Sequence, residues 1–374
     1  MQTQAAVLWD RHVLWAVETI DLDPPKESEV LVELVASGIC HSDEHTVTGD
    51  MPFQVPVIGG HEGAGIVRQV GDHVSWLQPG DHVVFGFIPS CGRCRSCSTG
   101  NQNLCDLGAV MFRGRQIQDG TARHHLRGED LAVSCMIGAF AQHTVVNEAS
   151  CIKIDPQYPL ELACLLGCGF VTGWGSAVYA GEVRAGDTVV VAGVGGIGGA
   201  AIQGARMAGA RVVVAIEPVE EKAEVARALG ATHVASSWDE APAVVGEATW
   251  DRGANVFICS MGVGDGSLIN AALAMTAKQG RVVVTNIHPA AELTASISFT
   301  GLTLSEKQIV GTVYGSANPR FDIPNMMELW SQGHVDLESM ISRRYSLESI
   351  NDGFDDLRSG RNLRGIITHG KAAP

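Results

Sequence analysis

The sequence predicts an α/β protein in which an irregular β domain accompanies a doubly wound, parallel-sheet domain. Short strands rich in Val and Ile, separated by Gly, Pro and Asp, characterise the first part of the chain and predict an irregular β domain that ends near residue 165. Strands then alternate with helices, which is typical of a parallel sheet, and a glycine-rich turn joins the first of these strands to its helix. We place the domain boundaries at 1–169, 170–314 and 315–374, the last segment returning to the first domain.

The individual elements follow from hydrophobic pattern and turn residues. In the first domain the pattern predicts strands at 5–9, 13–20, 29–36, 65–70 and 81–87. In the second it predicts strands at 187–192, 211–216, 254–259 and 280–285, with helices at 199–208, 220–229 and 268–276. After residue 315 it predicts helices at 323–331 and 347–357 and a strand at 365–368.

Composition narrows the possible partners and the compartment. The 374 residues carry a net charge of −15 and no run of Lys and Arg, so we expect no nucleic-acid or membrane partner. The longest uncharged apolar stretch, 188–202, is too short to span a bilayer. Ten cysteines without a recognisable secretion signal favour a reducing, cytoplasmic location in which thiols bind metal.

Four cysteines within one turn-rich lobe, about 91–105, predict a structural metal site. They follow the spacing C-x-x-C-x-x-C-x7-C. Four thiolates can close tetrahedrally around Zn²⁺, which leaves no open position for a substrate. An iron–sulfur cluster is the main alternative, but the bacterial ferredoxin spacing is shorter and ends in Pro. The predicted ligands are Cys91, Cys94, Cys97 and Cys105.

The glycine-rich turn predicts a dinucleotide site. A G-x-G-x-x-G pattern lies between a strand and a helix, where the backbone can approach a pyrophosphate and the helix N-terminus can bind it. The acid Glu217 ends the next strand, where it can accept bonds from the ribose hydroxyls and would repel a 2′-phosphate, which favours NAD over NADP. The predicted cofactor turn comprises Gly193, Gly195, Gly196, Ile197 and Gly198.

Three further residues could form a second, open metal site. Cys40, His61 and Cys168 supply two thiols and one imidazole, a plausible set for a catalytic zinc that keeps its fourth position free. The cysteines could equally be small buried packing residues and the histidine an ordinary turn residue. Spacing alone leaves both interpretations open.

Taken together, these segments resemble the zinc-dependent medium-chain alcohol dehydrogenases. The resemblance covers nearly the whole chain and rests on GICHSD at 38–43, GHEG at 60–63, the four-cysteine lobe, GCGF at 167–170, TGWGS at 172–176, the glycine turn and RSG at 358–360 before Arg364. The stretches 119–128 and 146–150 are similar to the NDMA-dependent branch, named after a nitrosoaniline dye. The resemblance implies a GroES-like catalytic domain, a Rossmann domain, NAD and two zinc ions per chain.

It also implies the roles of the catalytic residues. Cys40, His61 and Cys168 would bind the catalytic zinc, and Glu62 would lie beside it as a neighbour or transient ligand. Asp43 would orient His61, as metal-bound imidazoles usually require. The remaining roles concern the substrate: Ser42 would contact its hydroxyl, His45 would carry the proton onward to water, and Phe87 would form a wall of its pocket.

For the cofactor, the resemblance implies contacts from both domains. His41 would face the pyrophosphate, Arg364 would approach the phosphates, and Thr172 would lie near the nicotinamide. Lys222 would help to hold the adenosine ribose. Relatives in the dye-dependent branch are thought to retain NAD permanently, so a second carbonyl substrate or a redox partner would reoxidise it in place.

The expected activity is reversible oxidation of primary alcohols to aldehydes by a homodimer or homotetramer, with the run 308–314 a candidate for pairing between subunits. A thiol-dependent formaldehyde dehydrogenase and a non-catalytic NAD-binding zinc scaffold are the alternatives. The remaining cysteines, 135, 151, 164 and 259, are interpreted as buried packing residues, and His124 and His125 as ordinary solvated histidines.

Overall fold

The computed structural model describes residues 1–289 and 292–370, which divide into two compact units. The first unit contains residues 1–168, 318–332 and the chain from 341 onward. The second contains residues 169–317 and 333–340. The mixed α/β class predicted from the sequence is confirmed.

The strands are short, as the frequent Gly, Pro and Asp residues predict. In chain order they are β1 (Gln2–Leu8), β2 (Ala16–Leu22), β3 (Glu29–Ile39), β4 (Val57–Ile58), β5 (Glu62–Val70), β6 (His82–Phe85), β7 (His124–Leu126), β8 (Glu129–Asp130), β9 (Ala132–Val133), β10 (His143–Asn147), β11 (Cys151–Ile154), β12 (Thr188–Ala192), β13 (Val212–Ile216), β14 (His233–Ala235), β15 (Ala254–Cys259), β16 (Thr276–Val284), β17 (Gln308–Gly311), β18 (Ile341–Tyr345) and β19 (Arg364–Thr368).

The helices concentrate in the second unit and near the end of the chain. They are α1 (His41–Thr48), α2 (Arg95–Ser98), α3 (Leu160–Ala163), α4 (Gly169–Gly175), α5 (Gly196–Met207), α6 (Glu220–Ala228), α7 (Ala241–Thr249), α8 (Gly266–Ala274), α9 (Phe299–Leu304), α10 (Pro319–Ser331) and α11 (Ile350–Arg358). Short 3-10 turns connect several of them, and a π-helical turn, Ser176–Ala180, continues α4.

The first unit is built on two sheets. The larger has the order β11-β6-β5-β3-β19-β18, with β10 also paired to β3, and the smaller has the order β8-β7-β2-β1-β4-β9. Strand β3 is almost wholly buried because it pairs with three neighbours. It ends at Ile39, so the next residues, Cys40 and helix α1, begin where this rigid strand ends.

The second unit is a six-stranded parallel sheet in the order β14-β13-β12-β15-β16-β17. Numbered within the unit, this is the order 3-2-1-4-5-6 of a doubly wound dinucleotide-binding fold. Strands β12 and β13 are buried throughout, which explains their unbroken Val, Ala and Ile runs. Ligands of such sheets bind at the carboxyl ends of the strands, at the point where the order reverses, between β12 and β15 here.

Several predicted boundaries were wrong for local reasons. Helix α5 begins at Gly196 rather than at 199, because the second half of the glycine turn is already its first turn. Helix α7 was missed, although Pro242 stands within its first turn, where a proline lacking an N–H is tolerated. Strand β10 was also missed, and β2 begins three residues later than the sequence predicts.

The interpretation of His124 as a solvated histidine was wrong. His124 lies on β7 with 1% of its surface exposed, and its Nε2 is 3.2 Å from Thr144 Oγ1. Burial lowers the pKa of His124 to about 3, so the ring is neutral. The neighbouring Arg123 is equally buried and forms a bidentate ion pair with Glu29. Polar partners therefore allow the Arg123 and His124 side chains to be buried here.

Among the described residues, no single helix is long and apolar enough to cross a membrane. One bent pair of helices, Leu160–Gly167 with Gly169–Ala180, is apolar and long enough when taken together, and most of its residues are buried.

Candidate active site and metal centres

The four-cysteine lobe brings all its thiols together. The sulfur atoms of Cys91, Cys94, Cys97 and Cys105 lie within 4.8 Å of one another. Two of the separations, Cys91 to Cys97 and Cys94 to Cys105, are each 3.9 Å. Zinc–sulfur bonds of about 2.3 Å in a tetrahedron require sulfur–sulfur separations of about 3.8 Å, so the lobe fits Zn²⁺.

Backbone N–H groups of the lobe point at the sulfur atoms. The amide of Cys94 donates to Cys91 Sγ at 3.3 Å, and that of Cys97 donates to Cys94 Sγ at 3.4 Å. Bonds of this kind from backbone amides, including one from Asp106, lower the pKa of Cys94 to about 6. Burial raises the pKa of Cys105 to about 12, so a bound cation would have to displace a proton from that thiol.

A second cluster lies at the end of β3 and the start of β5. Cys40 precedes helix α1, His61 and Glu62 lie at the start of β5, and Cys168 is the last residue of the first segment of the first unit. One donor atom from each of the four residues lies within 4.8 Å of the others, and all four residues are buried. Thus three segments remote in sequence converge on one point, as the resemblance implies.

The orientation of His61 is fixed by a carboxylate. Asp43 Oδ1 lies 3.2 Å from His61 Nδ1 and also accepts the Gly60 amide at 3.0 Å. The other ring nitrogen, Nε2, is buried and has no hydrogen-bond partner among the described residues. An orphaned imidazole nitrogen that faces two thiols is the expected arrangement of a histidine ligand whose partner is a metal ion.

The charges of the cluster favour cation binding. The hydrogen bond from Cys168 and the proximity of His61 lower the pKa of Cys40, although burial opposes this. The same bond and burial raise the pKa of Cys168. Burial disfavours a charged His61, but Asp43 and Cys40 outweigh it and raise its pKa. The contact between the two thiols thus lowers the pKa of Cys40 and raises that of Cys168, and a bound divalent cation would replace the protons of the cluster.

Glu62 and Arg364 form a buried ion pair beside these ligands. The Arg364 guanidinium bonds to Glu62 Oε2, while its Nε has no hydrogen-bond partner among the described residues. Burial raises the pKa of Glu62 to about 7, and Arg364 opposes the rise. The sequence associated Glu62 with the zinc and Arg364 with the cofactor phosphates, but it gave no sign that the two side chains pair.

The other predicted residues of the first unit lie on or near helix α1. His41 is its first residue, and Ser42 Oγ lies 3.7 Å from Cys40 Sγ. His45 is buried in the last turn, with Nδ1 3.1 Å from Asp50 Oδ2. Phe87 stands edge-on to the His61 ring, with the centroids 6.0 Å apart. This places an apolar ring next to a candidate metal ligand.

In the second unit, the glycine turn has the geometry that a dinucleotide requires. Gly193 has a φ of +87°, a conformation that favours glycine. A side chain at Gly195 would meet nothing within 4 Å, which leaves the space above the turn open to a ligand. A Cβ at Gly198 would lie only 1.9 Å from the Gly193 carbonyl oxygen, so close helix-to-strand packing excludes one.

The remaining predicted cofactor residues lie in the same unit. Glu217 follows β13, and its carboxylate accepts the Val194 amide at 2.7 Å and the Val219 amide at 3.0 Å. Lys222 lies on α6, and burial lowers its pKa. Thr172 lies on α4, where its buried Oγ1 has no hydrogen-bond partner among the described residues. Its free hydroxyl and the open glycine turn fit a polar cofactor.

Comparison with known proteins identifies the family of the chain. Residues 26–156 match the family model of the alcohol dehydrogenase GroES-like domain, and residues 196–332 match that of zinc-binding dehydrogenases. The chain is 46% identical to the NDMA-dependent alcohol dehydrogenase of Amycolatopsis methanolica, over 99% of both chains. The chain belongs to the zinc-dependent medium-chain alcohol dehydrogenase family, as the resemblance predicted.

Solved structures support the same assignment. The alcohol dehydrogenase zinc-binding domain protein from Burkholderia ambifaria has a TM-score of 0.92 and is 30% identical, covering 98% of this chain and 99% of its own. The benzyl alcohol dehydrogenase of Acinetobacter calcoaceticus has a TM-score of 0.89 at 30% identity, covering 99% of this chain and all of its own. The Rossmann and GroES-like fold predicted from the sequence is therefore confirmed.

Proposed function

We propose that this chain oxidises primary alcohols to aldehydes with NAD, at a zinc ion held by Cys40, His61 and Cys168. The observation that carries the proposal is the orphaned His61 Nε2, which faces two thiols while Asp43 binds the other ring nitrogen. Three protein ligands leave the fourth zinc position for substrate. The names of the Amycolatopsis and Acinetobacter relatives support an alcohol as that substrate.

The bound groups would supply the chemistry that side chains cannot. Zinc lowers the pKa of a coordinated water from 15.7 to about 7, a coordinated hydroxyl should respond similarly, and NAD accepts a hydride. The protein would contribute position and proton transfer. Ser42 would take the hydroxyl proton through a hydrogen bond, His45 would pass it on, and Phe87 would help to exclude water from the reacting carbon.

Charge balance explains why no further acid or base is needed. Two thiolates and a neutral imidazole would compensate the charge of a bound Zn²⁺. With both groups bound, a deprotonated alcohol and an oxidised nicotinamide would carry opposite charges, which would balance without a charged side chain beside them. The residues around the reacting carbon therefore need to provide geometry and a dry site rather than additional proton transfer.

We also propose a second, structural zinc in the four-cysteine lobe. Replacing Cys97 by serine should reduce the zinc content from two ions per chain to one and lower the melting temperature, because the lobe has few buried apolar side chains of its own. Elemental analysis and thermal unfolding measure these effects. Cys259→Ser, at a buried thiol in β15, is the matched control and should retain both ions. An unchanged zinc content of two ions per chain in Cys97→Ser would contradict the proposal.

We also propose that NAD remains bound through purification. The name of the NDMA-dependent relative supports this, because an enzyme whose bound cofactor is reoxidised in place by a dye need not release it. The protein should be purified without added cofactor, desalted and denatured, and the supernatant assayed for nicotinamide nucleotide. A yield near one per chain is expected. Absence of nucleotide, with activity restored by added NAD, would show that the cofactor exchanges freely and that no second carbonyl substrate or redox partner is needed.

The same preparation distinguishes the alternative functions. Strict dependence on an added thiol such as glutathione or mycothiol would identify a thiol-dependent formaldehyde dehydrogenase. One zinc per chain with no activity on a broad alcohol panel would favour a scaffold. We further propose a cytoplasmic homodimer or homotetramer. Edge strand β17, which is exposed at Gln308, Ile309 and Gly311, is the candidate for pairing between copies, and light scattering would test the assembly state.

A further inference from the structure

His45 is too deeply buried to exchange protons with water by itself. Only 3% of its side chain is exposed. The sequence suggested that this histidine delivers the substrate proton directly to solvent, but a ring with so little exposure needs a partner that reaches the surface. Asp50, whose side chain is 30% exposed, lies against it.

Local backbone structure holds Asp50 in this position. Helix α1 ends at Thr48, and Gly49 adopts a left-handed conformation with a φ of +84°, which reverses the chain. The amides of Gly49 and Met51 both donate to the His45 carbonyl oxygen at 3.1 Å. Asp50 lies between these two bonds, so its short side chain is brought back over the last helical turn. The contact of 3.1 Å between Asp50 Oδ2 and His45 Nδ1 follows from this turn.

The carboxylate of Asp50 is held in its ionised form, so it can take up a proton only transiently. Thr48 Oγ1 donates to the same Asp50 oxygen at 2.6 Å. This bond and the contact with His45 lower the pKa of Asp50, so the group is an anion at neutral pH. The proximity of His12 also favours the anion, and the Arg11 side chain packs against the adjacent Gly49.

We propose that Asp50 is the group through which His45 exchanges its proton with solvent. This inference rests on the proposed alcohol dehydrogenase function. An imidazole that gains the substrate proton at one ring nitrogen can release the proton on the other. The Nδ1–H bond then breaks, an O–H bond forms at Asp50, and water finally takes the proton, which restores the carboxylate and the neutral ring. Asp50 acts through His45, so it is a positioning residue rather than a catalytic one.

The test is a single-turnover experiment on the purified holoenzyme. Benzyl alcohol is mixed with enzyme that contains oxidised NAD in weak buffer, while NADH absorbance and the colour of a pH indicator are recorded together. Asp50→Asn retains the shape and a hydrogen-bond acceptor but cannot carry the proton. We expect it to slow proton release about tenfold, with KM, zinc content and nucleotide content unchanged.

Two further variants separate proton transfer from structure. Asp50→Glu should recover most of the rate, and high concentrations of imidazole or formate should restore Asp50→Asn by accepting the proton directly. Asp155→Asn, which removes another exposed carboxylate of the first unit, should behave like the wild type. Proton release at the wild-type rate in Asp50→Asn, or a loss that added base does not restore, would overturn the proposal. If the wild type itself forms no NADH with alcohols, the proposed function fails instead.

Discussion

Replacing Cys168 by alanine is expected to lower alcohol oxidation by at least about a thousandfold while the protein remains folded. The thiol is one of three proposed zinc ligands, and loss of the metal removes the main source of alcohol activation. The fold should persist because the substitution removes only one buried sulfur atom, a small change in core volume. Turnover, zinc content and circular dichroism should be measured on the same sample.

Cys164 provides a matched control for this experiment. It is a fully buried thiol four residues earlier, and its Sγ bonds to the Glu161 carbonyl oxygen at 3.2 Å. Burial holds the pKa of Cys164 far above its usual range, which makes it an inert packing group. Cys164→Ala should lose some stability, about 1–2 kcal/mol, but keep its activity and zinc. Wild-type turnover in Cys168→Ala after metal removal would refute the zinc assignment.

The second large effect is expected from Ser42→Ala. The hydroxyl lies at the start of α1, 3.7 Å from Cys40 Sγ, and is proposed to take the alcohol proton. Removing such a proton acceptor usually costs 10²–10⁴-fold in rate, so turnover should fall by roughly this factor. Zinc content and retention of the nucleotide should not change, because Ser42 is neither a proposed ligand nor part of the glycine turn.

Ser42→Thr is the control, since it retains the hydroxyl at the same position on the helix. It should keep turnover within about tenfold of the wild type, whereas the alanine variant should not. Steady-state kinetics with a primary alcohol and nucleotide quantification provide the comparison. Equal losses of turnover and cofactor binding in Ser42→Ala would argue against proton transfer through this residue.

Sequence patterns predicted the second unit better than the first. Strands β12 and β13 are buried on both faces, so their apolar runs identify them directly. The glycine turn is recognisable from its residues alone, because the backbone conformation requires Gly193 and close packing requires Gly198. The irregular strands of the first unit are short and depend on pairing between distant segments, which no local pattern records. This is why β10 was missed.

The metal sites could be proposed from the sequence for different reasons. The lobe cysteines are close together in the chain, so their spacing alone indicates a tetrahedral site. Cys40, His61 and Cys168 are scattered, and only the family resemblance joined them. Their convergence depends on where β3 ends and β5 begins, which is a property of the sheet.

The observed settings of two side chains near the site were not predicted from the sequence. The pairing of Arg364 with Glu62 joins the last strand to the fifth, a contact fixed only by sheet order. Asp50 had a weaker signal that was overlooked. A Thr-Gly-Asp sequence at the end of a short helix allows a left-handed glycine to turn the following acid back toward the helix.

The proposed function depends on a metal ion at the junction of β3, β5 and Cys168. The most direct measurement is an anomalous difference map, recorded on both sides of the zinc absorption edge, from crystals of protein purified without added metal. The account predicts a zinc peak about 2.0–2.3 Å from Cys40 Sγ, His61 Nε2 and Cys168 Sγ, with a fourth position open to substrate or water. Well-ordered side chains with no anomalous peak between them would contradict it.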